Sequence, residues 1–419
     1  MEIDRLILTA WREKLPVYME LPSDIAYLEV DVPAAPLVLA QPPSDPERLG
    51  SCSAAIARQL SGARAPAILV DQDVARYGAA AEVVELAAKL QLPVAVTGPA
   101  KGVIDETFPY YAGIYNGKGS APYTREAIEG ADCLLSIGYR PIDGTSGDFT
   151  AVLPANTIRA RGHAVDIGAD NYQAVTLTEV LRSVIDAVPQ VTNRAARQAG
   201  APAAPAQGGG SARLTQAAYW QALQGYLQPG DVLLTDNGTS YAIFGFDLPP
   251  DCTVVASVIW GSIGYSVGSL LGTLTAAPNR RHLLFVGDGS FQVTAQELST
   301  MLRNDYKPVI FLINNGGYTI ERGYIGKNAH YNDIARWAYA DLPKAFRPDT
   351  TARSFVCRTV ADLQAALSAP NDSLILVESI MDPHDAPAAV IHSSNNGAEL
   401  DYGPRGPQHR DNIQLQPAT

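Results

Sequence analysis

The chain has 419 residues, 47% of them hydrophobic, and a formal net charge of −12. That length allows two to three α/β-sized domains, and the acidic balance, without basic clusters, excludes a nucleic-acid surface. No apolar run reaches membrane-spanning length, and the start Met1 to Arg5 lacks a signal-peptide core, so no membrane contact is expected. Cys52, Cys133, Cys252 and Cys357 show neither metal-ligand nor disulfide spacing, which fits a reducing cytoplasm.

In chain order, Ile3 to Glu13 has a helical pattern and Pro16-Val-Tyr-Met-Glu20 reads as a strand. A Pro-rich stretch from Val32 to Pro46 behaves as a linker. Residues 47–190 alternate short apolar strands, Ala67–Val70, Pro93–Val96 and Cys133–Ile137, with helical stretches such as Gly78–Leu90. That alternation predicts a parallel sheet with helices on both faces, with Cys133 in its core. The stretch Gly113-Ile-Tyr-Asn-Gly117 hints at a nucleotide site but lacks the Gly-x-Gly-x-x-Gly spelling. Thr192–Arg213, rich in Ala, Pro and Gly, reads as a flexible boundary, and a second α/β domain begins at Leu214. The tail after Asp382, with Asn395-Asn-Gly397 and Gly403-Pro-Arg-Gly-Pro407, is expected to cover a surface or a site mouth.

The most informative segment is 287–321. An apolar strand His282–Val286 ends in Gly287-Asp288-Gly289-Ser290, and a second, Val309–Ile313, delivers Asn314-Asn315-Gly-Gly317. Thr294-Ala-Gln-Glu297 spells a capping box, so a helix is expected from there to about Asn304, before the Tyr306-Lys-Pro308 break. Small residues ahead of a helix let N–H groups approach a pyrophosphate. Asp288 and the Asn315 side-chain oxygen are hard ligands at the carboxyl ends of two strands, where open α/β sheets bind ligands. With phosphate and water completing an octahedron, such a set suits Mg²⁺.

Gly287-Asp-Gly289 with Asn314-Asn315 resembles the diphosphate- and Mg²⁺-binding signature of thiamine-diphosphate enzymes. The stretch Asn314 to Glu321, with Trp260-Gly-Ser-Ile-Gly264 and Asp236-Asn-Gly-Thr-Ser240, resembles the pyruvate/indolepyruvate decarboxylase group. Lys101-Gly-Val-Ile-Asp-Glu106, with Tyr110 and Gly113, and Ala131 to Gly138 resemble that group's middle domain, so the likeness runs from about residue 1 to about residue 390. The resemblance implies two doubly wound parallel-sheet domains and the cofactors thiamine diphosphate and Mg²⁺. It implies that Asp288 and Asn315 ligate Mg²⁺ through side chains and Gly317 through its carbonyl. Gly287, Gly289 and Ser290 would hold the diphosphate. Thr239, Gly261, Ser262 and Ile263 would face the aminopyrimidine, with Ile263 wedged beneath the cofactor. Ile320 would line the substrate pocket, and Glu321 would act catalytically beside the substrate carboxylate, relaying protons. Trp260 reads as structural. The implied reaction is non-oxidative decarboxylation of a 2-oxo acid such as pyruvate, phenylpyruvate or indolepyruvate to an aldehyde and CO₂.

The expected domains are 1–31, the remnant of an N-terminal pyrimidine-binding domain; 32–191, the middle domain; 192–213, the linker; 214–390, the cofactor-binding domain; and 391–419, the tail. Full-length members begin with a whole pyrimidine-binding domain, which supplies a glutamate to the aminopyrimidine. Only its last helix and strand are legible here, so the chain alone is expected to be incomplete. A homodimer or homotetramer, or a second chain supplying that domain, follows as the expected partner. Two alternatives stand beside this: an acetolactate-synthase-like carboligase, disfavoured by Tyr318-Thr-Ile-Glu321, and a non-catalytic partner or regulatory chain that keeps a cofactor fold.

Overall fold

The computed structural model describes residues 2–192, 213–406 and 409. Apart from its two end residues, the expected linker lies outside the described residues.

The first sheet contains β1 (Pro66–Val70), β2 (Val94–Val96), β3 (Tyr111–Ile114), β4 (Cys133–Ile137), β5 (Thr157–Arg161), β6 (Ala164–Ile167) and β7 (Asp170–Gln173), in the order β3-β2-β1-β4-β5-β6-β7. Strands β1 to β5 pair in parallel, as the alternation of strand and helix predicts. The edge does not: β5, β6 and β7 form antiparallel hairpins. Their two-residue connections, Gly162-His163 and Gly168-Ala169, are too short for a parallel crossover. Both faces are covered. Ile68, Val70, Val96 and Leu135 point into one core, and Ala67, Leu69, Ala95 and Leu134 into the other. Cys133 is fully buried, and all four cysteines are unpaired.

The second sheet contains β8 (Val232–Thr235), β9 (Thr253–Ala256), β10 (His282–Gly287), β11 (Val309–Asn314), β12 (Arg353–Cys357) and β13 (Ile375–Ile380), in the order β12-β13-β11-β10-β8-β9. Every pairing is parallel. Phe285 and Phe311, register partners on β10 and β11, stack with centroids 5.4 Å apart and planes 9° apart. Among the described residues no helix is long and apolar enough to cross a membrane.

Two N-terminal expectations part company. Glu2–Glu13 is a helix, with the Arg12 carbonyl 3.0 Å from the His163 ring and the Glu13 carbonyl accepting from Tyr77 Oη at 3.2 Å. Pro16–Glu20 is not a strand: it runs exposed and pairs with no described strand. Its β-favouring side chains lack the ladder partner that makes a strand stable. The tail departs in the other direction. Residues Ala388–Tyr402 form one helix, which crosses the expected boundary at 390.

A buried ion pair ties the two sheets together. Lys101 Nζ lies 2.7 Å from Glu106 Oε1 and donates to the Phe246 carbonyl at 2.7 Å. Glu106 Oε2 accepts the Leu248 N–H at 2.9 Å, and Tyr111 Oη donates to Oε1 at 3.1 Å. Replacing Lys101 by Met strands a buried carboxylate, which costs about 3–5 kcal/mol. Thermal unfolding should therefore show a lowered midpoint for Lys101→Met, partly restored by Glu106→Leu in the same chain. An unchanged midpoint in the single variant rules this cost out.

Candidate active site

Chain order places a topological switch between β8 and β10: the chain leaves β8 for β9 on one side and returns to β10 on the other. Loops at the carboxyl ends of such neighbours splay apart and leave a crevice. Here β8, β10 and β11 open into a cavity of about 1240 Å³.

Asp288 stands at the end of β10 and opens the helix Asp288–Thr294. It is 1% exposed. Its Oδ1 accepts the Gly289 N–H at 2.8 Å and its Oδ2 the Gly316 N–H at 2.7 Å. Burial pushes its pKa up to about 6 even though these N–H donors favour the charged form. The helix starts earlier than the capping-box spelling predicts. Thr294 is the last residue of this first helix, and its hydroxyl donates to the Gly264 carbonyl at 2.7 Å. A second helix, Glu297–Arg303, follows with no side-chain cap. Thr294 thus serves a tertiary acceptor, and the helix start lies at Asp288, at the carboxyl end of the sheet.

The two asparagines after β11 diverge. Asn314 Nδ2 donates to Glu378 Oε1 at 2.7 Å and ties β11 to β13. Asn315 lines the same cavity as Asp288, and its Oδ1 is buried without a hydrogen-bond partner among the described residues. A buried carboxylate of raised pKa beside a buried, unsatisfied amide oxygen is a poor arrangement for an empty protein and a good one for a small hard cation. Among the described residues no three His, Cys, Asp or Glu side chains cluster as metal ligands, so a cation here relies on one carboxylate and neutral oxygens. Glycine is required twice. A Cβ at Gly317 (φ 145°) would fall 1.9 Å from the Asn332 carbonyl oxygen, and one at Gly289 would fall 2.4 Å from the Tyr318 ring.

The opposite wall comes from β8. Asp236 Oδ2 accepts from Ser266 Oγ at 2.6 Å, Gly264 N–H at 3.2 Å and Ser266 N–H at 3.3 Å. That anchors the loop carrying Gly261 and Ile263, both of which line the cavity, as does Thr239. Ser262 does not line it. Trp260 is 87% exposed at the rim.

Ile320 and Glu321 lie in the short helix Thr319–Glu321, which runs into a π-helical turn, Arg322–Gly326. Arg322 is buried and ion-paired with Asp333, which holds that turn. Glu321 opens onto the cavity, and no hydrogen bond reaches its carboxylate among the described residues. Surrounding protein raises its pKa. The same turn aims Tyr324 into the cavity, where burial and Glu321 push its pKa up to about 12. Apart from Ser262, every residue expected at the site from sequence lines this cavity: Thr239, Gly261, Ile263, Gly287, Asp288, Gly289, Ser290, Asn315, Gly317, Ile320 and Glu321.

Other lining residues carry no such signal in sequence. Ile114 ends β3, Gly98, Pro99 and Asn116 lie in loops or turns beside the first sheet, and Val390 and His392 come from the helix Ala388–Tyr402. Ile114 and Asn116 belong to the Gly113–Gly117 stretch, which lines this cavity. The tail helix meets the expectation that the tail covers a site mouth.

Comparison with known proteins agrees with this layout. Residues 53–188 match the family model "Thiamine pyrophosphate enzyme, central domain" and residues 236–379 match "Thiamine pyrophosphate enzyme, C-terminal TPP binding domain". A pyruvate decarboxylase of Aspergillus terreus is 36% identical over 411 residues, which cover 94% of this chain and 72% of that protein. The chain belongs to the thiamine pyrophosphate enzymes, in the group of the pyruvate decarboxylases. Pyruvate decarboxylase isozyme 2 of Saccharomyces cerevisiae is 34% identical over 409 residues, 93% of this chain and 72% of that protein. Benzoylformate decarboxylase from Polynucleobacter necessarius shares the fold with a TM-score of 0.65 at 18% identity, over 86% of this chain and 69% of that one. Membership makes the second sheet a thiamine-diphosphate-binding domain.

Asp288 yields a pH prediction for the metal-free chain. Its folded pKa, about 6, lies above the ordinary 3.8, so between those values the folded state binds more protons. Stability is therefore lost as pH rises through this window, by at most about 3 kcal/mol. In chelator-treated protein, Asp288→Asn should melt higher than wild type at pH 7.5, with the advantage vanishing towards pH 4. A constant difference across that range would contradict the burial argument.

Proposed function

We propose that the cavity binds thiamine diphosphate with Mg²⁺, and that the chain carries the diphosphate-side half of a 2-oxo acid decarboxylase site. The unsatisfied Asn315 Oδ1 next to the buried Asp288 supports this most directly. When bound, the cofactor supplies an electron sink for the pair left by the departing CO₂.

This chain's residues do the rest. Asp288, Asn315 Oδ1 and the Gly317 carbonyl hold Mg²⁺. Gly289 and Ser290, at the helix start, receive the diphosphate, Ser290 through its N–H and hydroxyl, and Gly287 leaves room for it. The Gly261 carbonyl and Thr239 flank the aminopyrimidine, Ile263 supports the cofactor from below and Ser262 keeps that loop in register. Ile320 bounds the substrate pocket. Glu321, whose carboxylate accepts no hydrogen bond among the described residues and whose pKa burial raises, relays protons beside the substrate carboxylate.

Residues 32–191 and 214–390 serve as the middle and cofactor-binding domains. Exposed Ile259, Trp260 and Ile263 at the cavity, with exposed Tyr265 and Val293 on adjoining helices, support assembly into a homodimer or homotetramer that covers them. Four buried, unpaired cysteines support a cytoplasmic location.

The test is CO₂ release from pyruvate, phenylpyruvate and indolepyruvate with both cofactors. Since the chain spans 72% of a relative's length, it is run alone and with that relative's N-terminal segment. Glu321→Gln should slow turnover about 10²–10⁴-fold while cofactor affinity stays within about threefold. Asp288→Ala should abolish Mg²⁺-dependent cofactor binding. Full activity in both variants would overturn the assignment.

A further inference from the structure

We infer that Thr319 is the positioning residue that fixes which end of the Asn315 carboxamide faces the metal site. The inference rests on the Mg²⁺ reading above and adds a residue that the reading does not use.

The two ends of a carboxamide have nearly the same shape but opposite chemistry: its oxygen can ligate a cation and its NH₂ cannot. Something must therefore hold Asn315 in one of two orientations related by a half-turn. The Asn315 Nδ2 donates to Thr319 Oγ1 at 2.7 Å, in a buried contact. Thr319 Oγ1 in turn donates to the Pro383 carbonyl at 3.0 Å. A carbonyl can only accept, so the single hydroxyl proton is committed to Pro383 and only a lone pair remains for Asn315. The group turned towards Thr319 must then be the NH₂. Oδ1 is left on the other side, where it is buried without a partner. The chain of donors runs one way, and a flipped amide would set its oxygen against the hydroxyl oxygen.

Both ends of this chain are fixed. Thr319 is 3% exposed and sits four residues after Asn315, beyond the two glycines. Pro383 lies in a turn closed by Asp382, whose Oδ1 accepts the His384 N–H at 2.9 Å and whose carbonyl accepts the Asp385 N–H at 3.2 Å. Asp385 Oδ2 accepts the Gln216 N–H at 2.7 Å, so the turn is pinned to the helix packed behind the sheet. The β-branched Thr319 has few side-chain rotamers, which keeps the hydroxyl in place at little entropic cost.

The experiment is a Mg²⁺ titration of thiamine diphosphate binding, followed by tryptophan fluorescence in the full chain. Thr319→Val keeps the volume and removes both hydrogen bonds; Thr319→Ser keeps both. Thr319→Val should raise the half-saturating Mg²⁺ concentration about 10–100-fold, and Thr319→Ser should leave it within about threefold. Should Thr319→Val fail to fold, Thr319→Ala is held to the same expectation. A purely structural Thr319 would lower the melting temperature of the metal-free chain in Thr319→Val without moving half-saturation, and that result overturns the inference. If wild type shows no Mg²⁺-dependent binding, the metal reading itself falls, and the positioning role with it.

Discussion

The parallel register of β10 against β11 is the constraint on which the site depends. Gly287 pairs opposite Ile313, so the next residues, Asp288 and Asn314-Asn315, leave the sheet side by side. A slip of one residue would turn every side chain of a strand to the other face. The core forbids that slip, because Phe285 and Phe311 are stacked on the same register pair and both strands are buried up to their last residue. The Gly316 N–H to Asp288 contact then closes the two loops on each other. Chemistry at the sheet edge is thus positioned by aromatic packing deeper in the sheet.

The two sheets use one topology differently. Each has a switch point, β8 with β10 in the second and β1 with β4 in the first. In the first, the crevice is filled by its own side chains: Arg140 Nη1 lies 3.1 Å from Asp73 Oδ1, and a Cβ on Gly138 would fall 2.5 Å from Asp73 Cβ. The first domain instead contributes from beside its crevice, where Pro99, Ile114 and Asn116 form a wall of the second domain's cavity. The Lys101–Glu106 pair, bonded to Phe246 and Leu248, holds that wall against the segment bearing Thr239.

Much of this is legible in the sequence, and the rest is not, for a consistent reason. The apolar runs at Ala67, Cys133, His282 and Val309 announce buried parallel strands because such strands need no alternation. Asp288, Asn315 and Glu321 stand out because their spacing along the chain is itself the motif. Asp236 and Thr319 do not, since their roles depend on partners 30 and 64 residues away. The capping-box spelling at Thr294 misleads because the Gly264 carbonyl, 30 residues upstream, takes its hydroxyl. Pro16–Glu20 has strand-like composition and no strand partner among the described residues. The tail, poor in helix formers, becomes a helix because Val390, Ile391 and Ala398 are buried and Gly397 lets Tyr324 approach closely. Packing overrides propensity there.

The site treats its two carboxylates in opposite ways. Asp288 is buried among backbone N–H donors, which favour its charge while burial opposes it. Glu321 has no donor on its carboxylate among the described residues and faces the cavity, and burial raises its pKa. The two acids thus differ in whether backbone N–H groups surround them. The π-helical turn Arg322–Gly326 follows Glu321 directly. It carries the chain towards the tail helix at the mouth, and the buried Arg322, committed to Asp333 and the Lys327 carbonyl, holds that turn. The one guanidinium adjacent to Glu321 in sequence is thus spent on shape, and the carboxylate keeps its raised pKa.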